Sequence, residues 1–402
     1  MAIAESRPAA VASLLARSRT DASATSARLV VSVPPDAIFF GGGLPDPMKY
    51  PTDAMTRVLV ELLASSDHEA LGYIHGAGDG ALREAIAHRF SAQERVDVAA
   101  DRIVITNGSS GALSLLAIAL IEPGDVVLCE ELTYPGALAT FRQMGARIVS
   151  VPVDGEGMCT GELASILTQL DRERARVKVL YTIATCQSPT GTVLSAARRR
   201  ELVDLADRFD IIVVQDTTYA DIRFADDFPP ELIALAPQRT VHVASFSKTL
   251  APGLRLGWAA GPPAIIDVLK EIRTDLGTSR LLQRMVAQLI SNGDFDAHLR
   301  EMNAHYRSKR DAVVDALTWS RPPASWNVPA GGFFVWLVLD RDDMPAVEAA
   351  AARRGVAFFA APYFSAGGGP EVAGIRLAYG ELDSPRLVEG IRLLSDALSE
   401  AT

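Results

Sequence analysis

The segment Ser245-Phe246-Ser247-Lys248-Thr249-Leu250-Ala251-Pro252-Gly253-Leu254-Arg255-Leu256-Gly257-Trp258 sets two hydroxyls, one amine and one guanidinium just after an apolar run, Thr240-Val241-His242-Val243-Ala244. That run reads as a buried strand. Serine hydroxyls and an arginine fork suit phosphate recognition, while imine chemistry asks for a lysine held away from water. Together they suit a phosphorylated aldehyde held as a Schiff base, and pyridoxal 5′-phosphate (PLP) answers that description. Only five lysines occur, Lys49, Lys178, Lys248, Lys270 and Lys309, among 39 basic residues. A lone lysine after a strand is usually a surface charge. Flanking Phe246 and Leu250 and the paired serines weigh against that here.

Other polar groups also follow apolar runs. Thr106-Asn107-Gly108-Ser109-Ser110-Gly111 comes after Ile103–Ile105 and opens a helical stretch, where free N–H groups and the helix dipole favour a phosphate. The plainer reading is a helix cap. Asp216 ends Ile211–Gln215, with Tyr219 three residues on. An acid there can keep a pyridine nitrogen protonated and make the ring an electron sink, and Tyr219 can donate to the ring's phenolic oxygen. A carboxylate capping the next turn is the alternative. Tyr134, in Glu131-Leu132-Thr133-Tyr134-Pro135, offers a ring for stacking, and Gln187-Ser188-Pro189-Thr190-Gly191 reads as a tight turn near the site. Arg376 is a lone charge in the apolar strand Gly374–Tyr379. Buried, it must meet an internal carboxylate or be kept for a ligand's. His75-Gly76-Ala77-Gly78-Asp79-Gly80 is an incomplete nucleotide fingerprint with no strand before it, and the six histidines form no metal-ligand cluster.

The elements that must position these groups alternate in type. Ile103–Ile105, Val126–Leu128, Arg147–Val151, Val177–Tyr181 and Ile211–Val214 are short and β-branched, with helical stretches Gly111–Leu120, Gly161–Leu170 and Ala196–Arg208 between them. This is the rhythm of a mainly parallel sheet between two helical layers, which binds ligands beyond the carboxyl ends of its strands. After about residue 270, helical stretches Asp296–Leu317 and Ser384–Leu398 surround strand-like Phe333–Leu339 and Gly374–Tyr379, a smaller α+β unit. The expected division is an N-terminal arm (1–50) serving the active site and small domain, a large cofactor-binding domain (51–275) and a small C-terminal domain (276–402).

At 402 residues, 49% hydrophobic and 22% charged, the chain has the balance of a globular two-domain protein. A net charge of -10 argues against a nucleic-acid surface. Cys129, Cys159 and Cys186 are an odd set without metal-ligand spacing, and the longest apolar stretch, Leu115–Ile121, is too short to cross a bilayer. Residues 1–30, rich in Ala, Ser and Arg, loosely resemble a transit peptide but carry Glu5 and Asp21. A cytoplasmic protein is expected, its arm packing on a neighbouring subunit or on its own site.

Taken in order, Gly42-Gly43-Leu44-Pro45-Asp46-Pro47, Leu71-Gly72-Tyr73, Asn107-Gly108-Ser109, Pro123-Gly124-Asp125, Thr133-Tyr134, Pro189-Thr190-Gly191, Asp216 with Tyr219, the lysine segment, Gly331-Gly332-Phe333 and Ile375-Arg376-Leu377 resemble the fold type I PLP enzymes. More narrowly, from about residue 25 onward the chain is similar to class I/II aminotransferases of the α-aminoadipate/kynurenine branch, which is also fused in MocR-type regulators. The resemblance implies a seven-stranded, mainly parallel sheet with a smaller C-terminal domain. It implies that Lys248 forms the Schiff base and shuttles the proton, that Asp216 holds the pyridine nitrogen, that Tyr219 meets the phenolic oxygen and that Tyr134 stacks on the ring. It further implies a phosphate site of Gly108, Ser109, Ser110, Ser245, Ser247 and Arg255, with Tyr73 reaching the partner's site in a homodimer. Arg376 and Gly43 would face the substrate, with Thr25 and Arg28 near it.

Two departures stand out. The family's usual Asn-Pro-Thr-Gly has Ser188 at its first position, a shorter group beside the cofactor, and Asp-Asp-Pro-Tyr appears as Asp216-Thr217-Thr218-Tyr219. The leading expectation is an aminotransferase acting on an L-amino acid and a 2-oxo acid through pyridoxamine phosphate. A specialised PLP cyclase, oxidase or eliminating enzyme comes next, and a regulator's ligand-sensing domain last.

Overall fold

The computed structural model describes residues 36–65, 68–74, 76–340, 343–367 and 373–400. Thr25, Arg28 and His75 lie outside the described residues.

The central sheet contains β1 (Ile103–Asn107), β2 (Val126–Glu130), β3 (Arg147–Val151), β4 (Val177–Thr182), β5 (Ile212–Asp216), β6 (Thr240–Ser245) and β7 (Leu256–Ala260). Their order across the sheet is β1-β7-β6-β5-β4-β2-β3. Neighbours run parallel except at β7, which is antiparallel to both β1 and β6. Alternation decides which layer each side chain meets. Val126 and Leu128 pack with Leu163 and Leu167 of helix Thr160–Arg172 and Leu202 of Ala196–Arg208. Val127 turns the other way, to Leu113 and Leu116 of helix Gly108–Leu120 and Ile266 of Pro263–Ile272. Each such Val, Leu or Ile contributes roughly 1.5–3 kcal/mol on full burial. With both faces covered, the strands can be apolar throughout, and polar residues collect at their ends.

The C-terminal sheet has β8 (Ala324–Trp326), β9 (Phe334–Leu339), β10 (Phe359–Ala360) and β11 (Gly374–Ala378), antiparallel in the order β8-β9-β11-β10. Val313 and Leu317 of helix Asp294–Ser320 and Ile391 and Leu394 of Ser384–Glu400 share its core. The N-terminal strand Ile38–Phe39 pairs in parallel with Val356–Ala357. Helix Arg280–Ser291 packs on Thr52–Ala64 and Gly80–Glu94. The fold is the α/β arrangement expected, with β7 a strand that the apolar runs did not announce.

Candidate active site

The carboxyl ends of β1, β5 and β6 share one edge of the sheet, and the reversed β7 begins at that same edge. Two glycines bring Arg255 there. Gly108 has φ +67°, and a Cβ on it would stand 2.6 Å from Arg255 Nη2. A Cβ on Gly257, in β7, would come 2.5 Å from the Gly108 carbonyl carbon. The guanidinium therefore lies against the first turn of helix Gly108–Leu120, whose N–H groups favour an anion. Arg255 Nη1 donates to Ser247 Oγ at 3.4 Å and to the Pro252 carbonyl at 3.5 Å, neither of them a carboxylate. Ser245 Oγ donates to Ser247 Oγ at 2.9 Å and accepts from the Ser247 N–H at 3.1 Å. Ser109 and Ser110 sit in the helix's first turn, and Ser110 shares a hydrogen bond with the Tyr134 hydroxyl. Tyr134 precedes helix Pro135–Gln143 and folds its ring back over Gly136.

Asp216, the last residue of β5, is buried. Its Oδ1 accepts from Thr218 N at 3.0 Å and Thr218 Oγ1 at 2.7 Å, and its Oδ2 from the Tyr181 hydroxyl at 3.1 Å. Burial raises its pKa, against the pull of those donors. A cationic N–H brought to Oδ2 would answer the buried charge.

Lys248 Nζ donates to the Gly43 carbonyl at 2.6 Å and lies 5.7 Å from the centroid of the Tyr219 ring. Burial first, then the charges of Arg376 and Arg255, push its pKa down to about 8, with Asp216 opposing. The Gly43 backbone fits closely, since a Cβ there would stand 2.9 Å from Tyr219 Oη. The loop is pinned at Asp46, whose Oδ2 accepts from buried Lys309 at 2.8 Å and whose N–H donates to Tyr306 Oη at 2.8 Å. Burial raises the Tyr219 pKa, so its ring stays a neutral phenol.

Arg376, in β11, is 7% exposed and has no carboxylate partner among the described residues. Nη1 donates to Ser188 Oγ at 3.2 Å and Nη2 to the Gly41 carbonyl, while Nε is buried without a partner. The guanidinium carbon lies 4.3 Å from the centroid of Phe334 and 4.6 Å from that of Phe364. Burial lowers its pKa to about 10, leaving it charged at neutral pH. A buried charge without an anion is costly, and this guanidinium has the chemistry to receive a carboxylate. Among the described residues it makes no internal ion pair.

Lys248, Asp216, Tyr219, Tyr134, Arg255 and Arg376 thus feel one another's charges, with Gly43 and Ser188 in direct contact with two of them. Tyr73 stands 80% exposed after the turn His68–Leu71. Sequence reasoning missed Tyr181, Thr218, Phe364 and the Asp46–Lys309 anchor. Tyr181 carried one signal: a hydroxyl in a buried strand has to find a partner.

PLP fits these residues: a helix N-terminus with an unclaimed guanidinium, a buried carboxylate awaiting a cation, and a desolvated lysine between them. The family model described as "Aminotransferase class I and II" matches residues 46–390. The "Aromatic-amino-acid aminotransferase 1" of Thermococcus litoralis is 32% identical over 370 residues, covering 91% of this chain and 88% of that protein. An uncharacterized HTH-type transcriptional regulator of Bacillus subtilis, YisV, is 33% identical over 311 residues, 76% of this chain but 63% of the regulator. A kynurenine aminotransferase of Pyrococcus horikoshii, solved in complex with PMP, superposes with a TM-score of 0.87 at 31% identity, covering 96% of this chain and 95% of that one.

Proposed function

The chain belongs to the class I and II aminotransferases, PLP-dependent enzymes that move an amino group between an amino acid and a 2-oxo acid, and from that premise we propose how its residues divide the work. The observation that carries the reading is Lys248, a buried amine set between two arginines that no carboxylate among the described residues answers.

Bound PLP supplies an electron sink that acidifies the substrate's α-hydrogen. Lys248 Nζ would be the amine that holds the cofactor and the base that moves the substrate's α-proton. Its lowered pKa suits a base working near neutrality. Asp216 Oδ2 would hold the pyridine nitrogen's proton, and Tyr219 Oη would donate to the phenolic oxygen. Tyr134 would stack on the ring, with Ser188 close by. Gly108, Ser109, Ser110, Ser245, Ser247 and Arg255 hold the phosphate. Arg376 takes the α-carboxylate as a fork, and the Gly43 backbone closes the substrate side.

We further propose a homodimer in which exposed Tyr73 reaches the partner's site; Met48 and Leu71 are likewise exposed. The arm (1–50), large domain (51–275) and small domain (276–402) are proposed as its working parts, with Lys248 on the large domain and Arg376 on the small one. A cytoplasmic location is supported by three free cysteines. Among the described residues no helix is long and apolar enough to cross a membrane.

The test is to incubate the holoenzyme with a panel of L-amino acids and no oxo acid. One pyridoxamine phosphate per site is expected, whereas catalytic ammonia, peroxide or cyclised product overturns the reading. Lys248→Ala should lose the near-visible absorption of the lysine-linked cofactor, and its retention would move the linkage elsewhere.

A further inference from the structure

Two loops beyond the carboxyl ends of β2 and β4 are joined by one buried side chain. The loop after β2, residues 131–134, ends on Tyr134, the ring proposed to lie on the cofactor. The turn after β4, residues 183–191, carries Ser188, whose Oγ accepts from Arg376. Between them stands Gln187, 3% exposed. Its Nε2 donates to the Leu132 carbonyl at 2.6 Å, and its Oε1 accepts from Thr190 N at 2.9 Å and Thr190 Oγ1 at 2.7 Å. Both lone pairs of the carboxamide oxygen are thus used. Leu132 lies two residues before Tyr134, and Gln187 immediately precedes Ser188.

The first loop also reaches the other wall around Arg376. Thr133 N donates to the Phe364 carbonyl at 3.0 Å and Ala366 N to the Glu131 carbonyl at 2.8 Å, while Leu132 bridges antiparallel to Ser365. The Phe364 ring lies 4.6 Å from the Arg376 guanidinium carbon. Tyr134 is therefore tied to two sides of Arg376, to Phe364 through the backbone and to Ser188 through Gln187. A separate set of bonds holds the strand ends. Glu130 accepts from Thr182 Oγ1 at 2.6 Å, Ile183 N at 2.8 Å and Thr133 Oγ1 at 3.0 Å. Because Glu130 already joins the end of β2 to the end of β4, what Gln187 adds is the spacing of the two loops beyond them.

On the site assignment given above, we propose that Gln187 is a positioning residue for α-proton transfer, its carboxamide holding the Tyr134 loop at a fixed distance from Ser188 and Arg376. Tyr134 would set the plane of the cofactor ring and Arg376 the direction of the α-carboxylate. The angle between the substrate's α-hydrogen and the ring then follows from where the two loops stand. A misplacement of about 1 Å, made from outside the reacting contacts, can cost on the order of 10^2-fold in rate.

The test compares holoenzymes of the native chain, Gln187→Leu and Gln187→Glu in D2O, with the amino acid that reacts best in the panel. Exchange of the α-hydrogen, read by NMR, measures proton transfer alone; pyridoxamine phosphate is read by absorbance. In Gln187→Leu, exchange per bound cofactor should fall about 10- to 100-fold. The dissociation constant of PLP should stay within about three-fold, while the visible circular dichroism of bound PLP changes because the ring beside it has moved. A protonated carboxyl pairs one donor with one acceptor as the amide does, and burial favours that neutral form. Gln187→Glu should therefore exchange at close to the native rate toward acid and fall to the Gln187→Leu rate as pH rises and the donor is lost. If Gln187→Leu does not fold, Thr190→Val removes one of the bonds on Oε1 and should slow exchange several-fold. Undiminished exchange per bound cofactor in the folded variant, a loss that merely follows PLP occupancy, or a Gln187→Glu as slow as Gln187→Leu at every pH each overturns the proposal. Exchange without pyridoxamine phosphate in the native chain would instead sink the transamination reading and leave the comparison at Gln187 standing.

Discussion

The two anion seats proposed for this site are built in opposite ways. Around Arg255 the work is shared by backbone N–H groups, serine hydroxyls and a guanidinium made to fit by two glycines. Around Arg376 one guanidinium stands in a box of phenylalanine rings, its Nε bare and its other contacts a serine oxygen and a carbonyl. A group that stays bound through many turnovers is best held by many modest donors. A group that must enter and leave each cycle is better met by one strong, dry contact, since desolvation makes it selective and its loss is complete when the ligand goes.

That contrast yields its largest effect at Arg376. Arg376→Ala should lower kcat/KM for amino acids about 10^3-fold, the size of a buried charge contact worth about 4 kcal/mol. Cofactor absorbance should stay normal. A matching loss of cofactor affinity would show that the two seats are not separate. The converse change is gentler because the load is shared. Arg255→Ala should raise the cofactor's dissociation constant about 10- to 100-fold, from about 1.5–3 kcal/mol of charge-assisted hydrogen bonding. The KM for the amino acid, measured at saturating PLP, should move by less than about two-fold.

Lys248 reads both seats at once. Only the neutral amine attacks an aldehyde, so the rate at which apoprotein takes up PLP should rise with pH, about ten-fold per unit, and level off above a midpoint near 8. The two arginines depress this pKa by disfavouring the charged form, so removing either moves the midpoint up. Arg376 is the larger of the two influences. Arg376→Ala should therefore shift the profile further than Arg255→Ala, and the reverse order, followed by stopped-flow absorbance, would invert the assignment of the drier seat.

Most of the proposed site stands out in the sequence because its groups are out of place in their surroundings. Lys248, Asp216 and Arg376 each interrupt or end an apolar run, and that burial gives them their chemistry. What stayed hidden is of two kinds. The Asp46–Lys309 contact joins residues 263 apart in the chain, and no local pattern announces such a pairing. The direction of β7 is a matter of topology: Leu256–Ala260 is as apolar as its neighbours, and alternation says nothing about which way a strand runs. Ser188 shows the reverse case. The resemblance sets it beside the cofactor, but its oxygen accepts from Arg376, so this departure bears first on the proposed carboxylate seat.

Tyr181 sharpens the comparison at its weakest point, because it touches neither seat and acts through Asp216. Among the described residues its hydroxyl is one of three donors on that carboxylate and the only one on Oδ2. Tyr181→Phe keeps the buried ring against Phe141, whose centroid is 5.6 Å away, and removes just that bond. With a donor gone, the Asp216 pKa, already raised by burial, should rise further and its hold on the pyridine proton should loosen. The net value of such a bond is about 1 kcal/mol, so kcat should fall about five-fold while KM for the amino acid and the affinity for PLP stay within about two-fold. Because a carboxyl with a raised pKa is protonated more fully toward acid, the fall should be equal for every amino acid tested and should deepen as pH falls. A loss confined to some substrates, or one that grows toward alkali, would place Tyr181 in the substrate pocket and remove it from the support of Asp216.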